Sequence, residues 1–410
     1  MEKIKKYDNG LTLIVSEEPA LSTSFAIMVG VGNINETDKT SGISHYIEHM
    51  NFKGTKKFTA FDISNKLEYL GSSFNAYTSA EVTCYYAQSL PENTEKTFEI
   101  FTDAVFNSIY PDEEAIKEKQ VILEEIKMSE DTPDDVCREL VTEAYYGNNG
   151  YGRSILGNEK NVLSFTSSDV NSYVKAHYIA KNTVITFAGV ITFEKAQEYV
   201  EKHVLPYITC GEKQPIPEHN VTNKKLALCK NKDIEQCHIY LTFPSNTFID
   251  ENKIASDIAI NVLGGGMSSR LFMKVREELG LAYSVYAFSA RYLDSGTLNI
   301  YAGVGNDKVG ECYDAIKTVI DEAKKGISDE EFEKVRNSLK AGSLFSQERP
   351  STKVQLFSKY YLLTGKLYDF KQRIKAIDDV KKSDVIDALN AISTLDMASA
   401  IVGKDVKPLI

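Results

Sequence analysis

The chain has 410 residues, of which 42% are hydrophobic and 26% charged, a composition typical of a folded globular protein with two or three domains. Its net charge of −11 argues against a general nucleic-acid binder, because such proteins neutralise phosphates with lysine and arginine. No segment contains about 18 uninterrupted apolar residues, so the sequence predicts no membrane-spanning helix and no membrane partner.

The first half of the sequence predicts strands and helices in irregular order. The turn sequence Asp8-Asn9-Gly10 joins the first two predicted strands into a hairpin. Strands and helices then follow without the regular alternation of a doubly wound parallel sheet, which favours an α+β fold. The predicted strands are 3–7, 11–16, 24–32, 83–89 and 183–189, and the predicted helices are 41–52, 60–70, 92–107, 113–128, 168–178 and 193–204.

A polar stretch with several prolines separates the two halves. We interpret residues 209–223 as an interdomain linker. The sequence therefore predicts one α+β domain at residues 1–208 and another at residues 224–410. In the second half, the predicted strands are 225–230, 238–243, 283–290 and 296–303, and the predicted helices are 251–263, 268–278, 308–324 and 329–344.

The two halves share a pattern at a constant offset of 217 residues. This offset superposes Asp112-Glu113-Glu114 on Asp329-Glu330-Glu331, and Pro133 on Pro350. Acidic residues are common in the first turn of any helix, so each match is weak alone. With the similar order of elements, the matches indicate an internal duplication. We therefore predict two homologous α+β domains, each with a mixed or antiparallel sheet covered by helices.

The pentapeptide H-Y-I-E-H at residues 45–49 carries the clearest chemical signal. On a helix, His45 and His49 share one face, so their imidazoles can bind one metal ion. Glu48 lies beside them and can reach a water molecule at the same centre without being a ligand. The order H-x-x-E-H is a known zinc peptidase signature. The same spacing also occurs by chance, and a histidine on a helix is often structural.

A third metal ligand is expected outside this pentapeptide, because catalytic zinc normally takes three protein ligands. In the predicted helix 113–128, Glu118 and Glu125 lie seven residues apart and therefore on one face. Glu124 points about a quarter-turn away and is expected to be solvated, although the pattern leaves it open. At the offset of 217 residues, the second half has no equivalents of these side chains. We therefore expect a metal site in the first half only.

The segments GISHYIEHMNFKGTKKF and EKQVILEEIKMSEDTPDD resemble the pitrilysin-like (insulinase, M16) zinc metallopeptidases. The resemblance runs almost end to end and is greatest to their short, two-domain, processing-peptidase-like branch. It implies that His45, His49 and Glu125 bind one zinc ion per chain. It also implies that Glu48 is the catalytic base and that Glu118 supports the site from outside the ligand shell.

Two further segments resemble the substrate-binding parts of this family. F-N-A-Y-T-S at residues 74–79 implies that Asn75 and Ala76 contact the substrate backbone. LGGGMSSRLFMKVREELGLAYSVYAF, in the second half, implies that Arg276 and Tyr283 bind substrate. The glycine run is not followed by G-K-[ST], which argues against a phosphate-binding loop. The second domain is therefore expected to lack the metal motif and to contribute substrate-binding residues.

The resemblance implies a zinc-dependent metalloendopeptidase that hydrolyses unfolded peptides or presequences inside a closed chamber. Family chambers of this kind consist of four homologous domains, so a chain with two implies a dimer. A homodimer is expected and a heterodimer is possible. In either, Arg276 and Tyr283 would complete the active site of the partner subunit.

Other functions stay open at this point. One is a non-catalytic scaffold or peptide-binding subunit of a processing-peptidase-like heterodimer. Others are a hydrolase of non-peptide amides and a structural zinc site, although structural zinc normally takes four protein ligands. The six cysteines are scattered and form no C-x-x-C pair, which favours reduced thiols. We therefore expect a cytoplasmic location.

Overall fold

The fold is taken from a computed structural model that describes residues 2–409. The chain forms two compact units. The first contains the chain up to Ile126, together with Ser154–Glu218 and Phe345–Tyr368. The second contains Lys127–Arg153, His219–Leu344 and the chain from Asp369 onward. Each unit combines one sheet with covering helices, so the predicted α+β class is confirmed.

Strands and helices alternate irregularly along the chain. The strands are β1 (Glu2–Lys6), β2 (Thr12–Glu17), β3 (Thr23–Val29), β4 (Ser73–Thr78), β5 (Thr83–Ser89), β6 (Thr183–Gly189), β7 (Ala227–Asn231), β8 (Gln236–Pro244), β9 (Ala282–Arg291), β10 (Gly296–Gly305) and β11 (Ala398–Gly403). The helices are α1 (Ile43–Met50), α2 (Ala60–Tyr69), α3 (Thr94–Asn107), α4 (Asp112–Asp131), α5 (Pro133–Tyr146), α6 (Glu159–Ser164), α7 (Ser167–His177), α8 (Phe193–His203), α9 (Lys253–Gly264), α10 (Val309–Lys324), α11 (Asp329–Gln347), α12 (Pro350–Thr364), α13 (Phe370–Asp379) and α14 (Lys382–Asn390).

The two sheets have the same topology. The strand order is β1-β2-β6-β3-β5-β4 in the first unit and β7-β11-β8-β10-β9 in the second. Without β1, the two orders correspond strand by strand, including one parallel pair in each sheet, β2 with β6 and β7 with β11. Helices α4 and α11 begin at Asp112 and Asp329, and α5 and α12 begin at Pro133 and Pro350. These starts preserve the offset of 217 residues and support the predicted duplication.

An aromatic cluster holds α3 against the first sheet. The ring of Phe25 on β3 lies 5.1 Å from that of Phe98, 5.5 Å from that of Phe101 and 5.7 Å from that of Phe187, measured between centroids. All four side chains are fully buried. Burial of each such ring contributes roughly 1.5–3 kcal/mol. This core fixes the sheet on which the site described below is built.

Helices α5 and α12 pack outside the sequence half in which each lies. In the first unit, α12 covers β3 and β6, and Ser358 donates its hydroxyl to Thr186 over 2.8 Å. In the second unit, α5 covers β8 and β11, and the Cys137 thiol donates to the carbonyl of His238. The predicted linker at residues 209–223 divides the sequence into two halves, and this division stays a prediction. The two compact units differ from these halves, because α5 belongs to the second unit and α12 to the first.

Within residues 2–409, no helix has both the length and the hydropathy needed to span a bilayer. All six cysteines are free, and Cys84, Cys137, Cys237 and Cys312 are buried.

Candidate metal centre

A buried carboxylate accepts hydrogen bonds from backbone N–H groups at the start of helix α1. Glu36 accepts hydrogen bonds from the backbone N–H groups of Gly42, at 2.7 Å, and Ser44, at 2.9 Å. The first N–H groups of a helix lack intrahelical partners and favour negative charge. Gly42 has a φ of 92°, a left-handed conformation that favours glycine. Sequence reasoning missed Glu36, because a carboxylate outside the helix at this spacing follows no common capping pattern.

The other end of α1 is fixed by buried side-chain hydrogen bonds. Asn51, which follows the helix, donates its Nδ2 to the hydroxyl of Tyr85 on β5 over 2.8 Å. Its Oδ1 accepts from the hydroxyl of Tyr110 over 3.0 Å. Tyr85 and Tyr178 share a further hydrogen bond of 2.8 Å. The helix that carries the two histidines is therefore restrained at both ends.

Helix α1 directs both imidazoles toward Glu125 on α4. Nε2 of His45 lies 3.7 Å from Oε2 of Glu125, and Nε2 of His49 lies 3.6 Å from the same oxygen. One ligand atom from each residue lies within 4.8 Å of the others. Tetrahedral zinc with bonds of about 2.0–2.2 Å separates its ligand atoms by roughly 3.4 Å, close to these values. In the part of the chain that the structure describes, no other group of His, Cys, Asp and Glu has this arrangement.

The chemistry of the donor set fits a divalent ion such as zinc. Burial lowers the pKa of His45 to about 3, with a smaller contribution from His49, so its imidazole is neutral near pH 7. The neutral ring is the form that binds metal. Nδ1 of His45 is buried without a hydrogen-bond partner among the described residues, so packing sets the orientation of this ring. Glu124 is exposed on α4, whereas Glu125 faces the histidines.

Glu118 connects His49 to a lysine that sequence reasoning missed. Its Oε1 accepts a hydrogen bond of 2.8 Å from Nδ1 of His49, and its Oε2 pairs with Nζ of Lys53 at 2.5 Å. Burial opposes ionisation of Glu118, but these two hydrogen bonds and their positive charges lower its pKa. A proton on Nδ1 leaves Nε2 of His49 for the metal. Lys53 lies beyond the end of α1, so helical spacing did not indicate it.

Glu48 lies beside this ligand set and is held by Thr78. The Thr78 hydroxyl donates a hydrogen bond of 2.6 Å to Oε2 of Glu48. Burial raises the pKa of Glu48, and this hydrogen bond and the charge of His49 oppose the rise. Burial alone would lower the pKa of His49, but the hydrogen bond to Glu118 and the nearby carboxylates raise it.

The predicted substrate contacts Asn75 and Ala76 lie on β4, at the edge of the first sheet. Asn75 is exposed, and its Oδ1 accepts a hydrogen bond of 2.8 Å from the N–H of Ala76. The same strand ends at Thr78, the partner of Glu48. An edge strand offers unpaired backbone groups to an extended peptide. The structure thus brings these two residues to the strand that contacts the predicted base.

Arg276 and Tyr283 form a group in the second unit. The Arg276 guanidinium lies 4.9 Å from the ring centroid of Tyr283 and 4.7 Å from that of Phe272. With the glycines Gly264–Gly266 these residues line a pocket of about 270 Å³. Tyr283 is 76% exposed and is therefore not a core aromatic.

The helix predicted at residues 268–278 is present over Phe272–Glu278, but with a wider turn than that of an α-helix. This segment is π-helical, and the N–H of Leu279 donates to the carbonyl of Lys274, five residues earlier. The apolar spacing of the segment did not reveal this wider turn, because hydrophobic periodicity indicates a helix without specifying its hydrogen-bond pattern. The segment places Arg276 against Phe272 and Tyr283.

Two family models match the chain. The first, described as Insulinase (Peptidase family M16), matches residues 11–159, which include His45, His49 and Glu125, the candidate metal ligands. The second, described as Peptidase M16 inactive domain, matches residues 164–339.

Two relatives that match this chain over almost their whole length are described as zinc proteases. An uncharacterized zinc protease of Rickettsia felis is 36% identical over 98% of this chain and 97% of its own length. The uncharacterized zinc protease YmxG of Bacillus subtilis is 35% identical over 97% of this chain and 98% of its own length.

Two solved structures share the fold at low sequence identity. A protease from Helicobacter pylori superposes with a TM-score of 0.91 at 23% identity and covers 98% of this chain and 99% of its own. A peptidase M16 inactive domain from Pseudomonas fluorescens also gives 0.91, at 18% identity, with both chains covered completely. These two structures show the fold alone. The family models and the two relatives confirm the resemblance drawn from the sequence, and the chain belongs to the M16 (insulinase) peptidase family.

Proposed function

We propose that the protein is a zinc-dependent metalloendopeptidase that hydrolyses unfolded peptides or presequences. The observation that supports this proposal most directly is the convergence of His45, His49 and Glu125. The carboxylate of Glu48 lies near enough to interact electrostatically with His49 and Glu125. Three protein ligands leave one position for water, as in catalytic rather than structural zinc sites.

Each residue of the site would have a separate role in the reaction. When bound, zinc would supply Lewis-acid chemistry toward water and the peptide carbonyl. Glu48 would accept a proton from the attacking water and pass it to the leaving amine. His45, His49 and Glu125 would hold the ion, and Glu118 would keep His49 in the tautomer that offers Nε2.

Substrate would bind as an extended strand along the free edge of β4. Main-chain hydrogen bonds there would give affinity with limited sequence preference, and Asn75 and Ala76 would contact the peptide backbone. We further propose a dimer, with the homodimer preferred over a heterodimer, whose two chains enclose a chamber. Arg276 and Tyr283 would contact substrate in the active site of the partner subunit.

A non-catalytic scaffold subunit is the alternative. The description "inactive domain" attached to one family model and one solved structure gives this alternative its support. That family model covers residues 164–339, whereas the complete metal-binding set lies before residue 126. A subunit without activity has no need of Glu48, so the complete set favours a peptidase.

Cleavage of a peptide library by the purified protein, with and without a chelator, tests the proposal. We expect zinc-dependent cleavage that is lost in Glu48→Gln and kept in Glu124→Gln, a matched change on the exposed face of α4. Bound zinc without any cleavage would favour the scaffold. The mass of the protein in solution, measured in the same preparation, tests the dimer.

A further inference from the structure

Thr78, the last residue of β4, contacts the proposed catalytic base. Its hydroxyl donates to Oε2 of Glu48 over 2.6 Å, a distance typical of a hydroxyl bound to a charged carboxylate. Within residues 2–409, this is the one side-chain hydrogen bond to Glu48. The contact joins a sheet edge to α1 across 30 residues of sequence.

The position of this hydroxyl is set by the sheet. Thr78 pairs with Thr83 on β5. Directly after it, the N–H and the hydroxyl of Ser79 both donate to the carbonyl of Val82, each over 2.9 Å. The β-branched side chain of threonine also restricts χ1. The Thr78 hydroxyl therefore has a defined location that does not depend on the orientation of Glu48.

Glu48 needs such a restraint, because its side chain has several rotatable bonds and lies near the charges of His49 and Glu125. We propose that Thr78 is a positioning residue, which holds Oε2 of Glu48 so that Oε1 takes the proton from the attacking water. This inference rests on the proposed peptidase function. Without the hydroxyl, Glu48 would adopt several orientations and fewer of them would reach the water.

The location of Thr78 also links the base to substrate binding. Asn75 and Ala76 on the same strand are the predicted contacts of the peptide backbone. A peptide seated along β4 would pair with the strand that carries Thr78, and would restrain that strand further. Loss of the hydroxyl should therefore lower kcat, while the backbone contacts that determine KM remain.

Thr78→Val removes the hydroxyl and preserves the side-chain shape, and Thr78→Ser restores it. We expect T78V to lower kcat by about tenfold to a hundredfold, the effect of losing a hydrogen bond to a charged group, with KM and zinc content unchanged. T78S should recover most of kcat. The matched control is Thr83→Val on the paired strand, whose hydroxyl donates to the carbonyl of Val31 over 2.9 Å. That variant should lower the melting temperature and leave kcat unchanged.

A T78V enzyme with kcat within about twofold of the wild type would overturn the proposal. Equal losses in T78V and T78S, or in T78V and T83V, would also overturn it, because they would indicate disruption of the strand. Crystals of the zinc-loaded T78S and T78V proteins give a second readout, in which Glu48 should have one orientation in T78S and several in T78V. A single orientation in both variants would contradict the proposal. If T78V does not fold, a low kcat in T78S, which keeps the hydroxyl, would contradict it instead. A wild type without peptidase activity would instead refute the proposed function itself, and the role of Thr78 with it.

Discussion

Glu118 and His49, 69 residues apart in the sequence, are joined by a hydrogen bond of 2.8 Å between Oε1 and Nδ1. The bond orients the imidazole and leaves its Nε2 for the metal. Loss of such a partner typically lowers metal affinity or activity by about 10- to 100-fold.

Glu118→Gln should therefore weaken zinc binding by about this factor, because the charge that supports His49 and Lys53 is removed. Competition with a chromogenic chelator measures the affinity. Glu124→Gln, a change at an exposed position on the same helix, serves as the control and should bind zinc as the wild type does. Equal affinities in the two variants would contradict a supporting role for Glu118.

His45 should make the zinc-free protein less stable in acid. Burial lowers its pKa to about 3, so below pH 6.5 the unfolded chain binds a proton that the folded chain excludes. The contribution of His45 to the free energy of unfolding is complete above pH 6.5 and is lost as the pH falls toward 3. His49 acts in the opposite sense, because the hydrogen bond to Glu118 outweighs burial and raises its pKa.

Urea unfolding of the zinc-free wild type and of His45→Gln isolates the contribution of His45. Between about pH 7.5 and about pH 5, the wild type should lose roughly 2 kcal/mol more stability than the variant. The same pH dependence in both proteins would show that His45 is not kept neutral by the fold.

Glu36 should be required for the start of α1. Glu36→Ala leaves the buried N–H groups of Gly42 and Ser44 without their acceptor, which should cost about 2–4 kcal/mol of unfolding free energy. Zinc affinity should fall as well, because α1 carries both histidines. Glu68→Ala, an exposed position on α2, is the control for removal of a glutamate from the same unit. A stability of Glu36→Ala equal to that of the control would contradict this account of the helix start.

Arg276 should affect substrate binding without affecting the metal. Its planar guanidinium contacts the rings of Phe272 and Tyr283, and lysine cannot reproduce both stacking contacts. Arg276→Lys should raise KM for peptides several-fold, with zinc content unchanged. The neighbouring Lys274→Arg, with its charge preserved, provides the matched control. An unchanged KM, or a loss of zinc, would argue against a substrate-binding role.

The sequence predicted the local parts of this structure well. The bounds of β5 and β6 were predicted to the residue, because both strands are short segments rich in β-branched, aromatic and other apolar residues. His45 and His49 lie four residues apart on a single helix, so it could be predicted from the sequence that their side chains point to the same side. The choice of Glu125 over Glu124 came from the family resemblance.

Features that depend on distant contacts could not be predicted. The strand β4 is half-exposed at a sheet edge and lacks a strong apolar pattern. Helices α5 and α12 were missed, and their packing on sheets from the other sequence half has no local signal. Glu36 and Thr78 acquire their roles only when the fold brings them to α1, and Lys53 acquires its role only when the fold brings Glu118 on α4 to the end of α1.

The central claim is that two histidines of α1 and a glutamate of α4 hold one zinc ion for peptide hydrolysis by Glu48. Zinc content and peptide cleavage, measured together on the wild type, Glu48→Gln and Glu125→Gln, test it most directly. We expect one zinc per chain and cleavage in the wild type, zinc without cleavage in E48Q, and neither in E125Q. Zinc bound by E125Q with wild-type affinity, or cleavage by E48Q at the wild-type rate, would contradict the account.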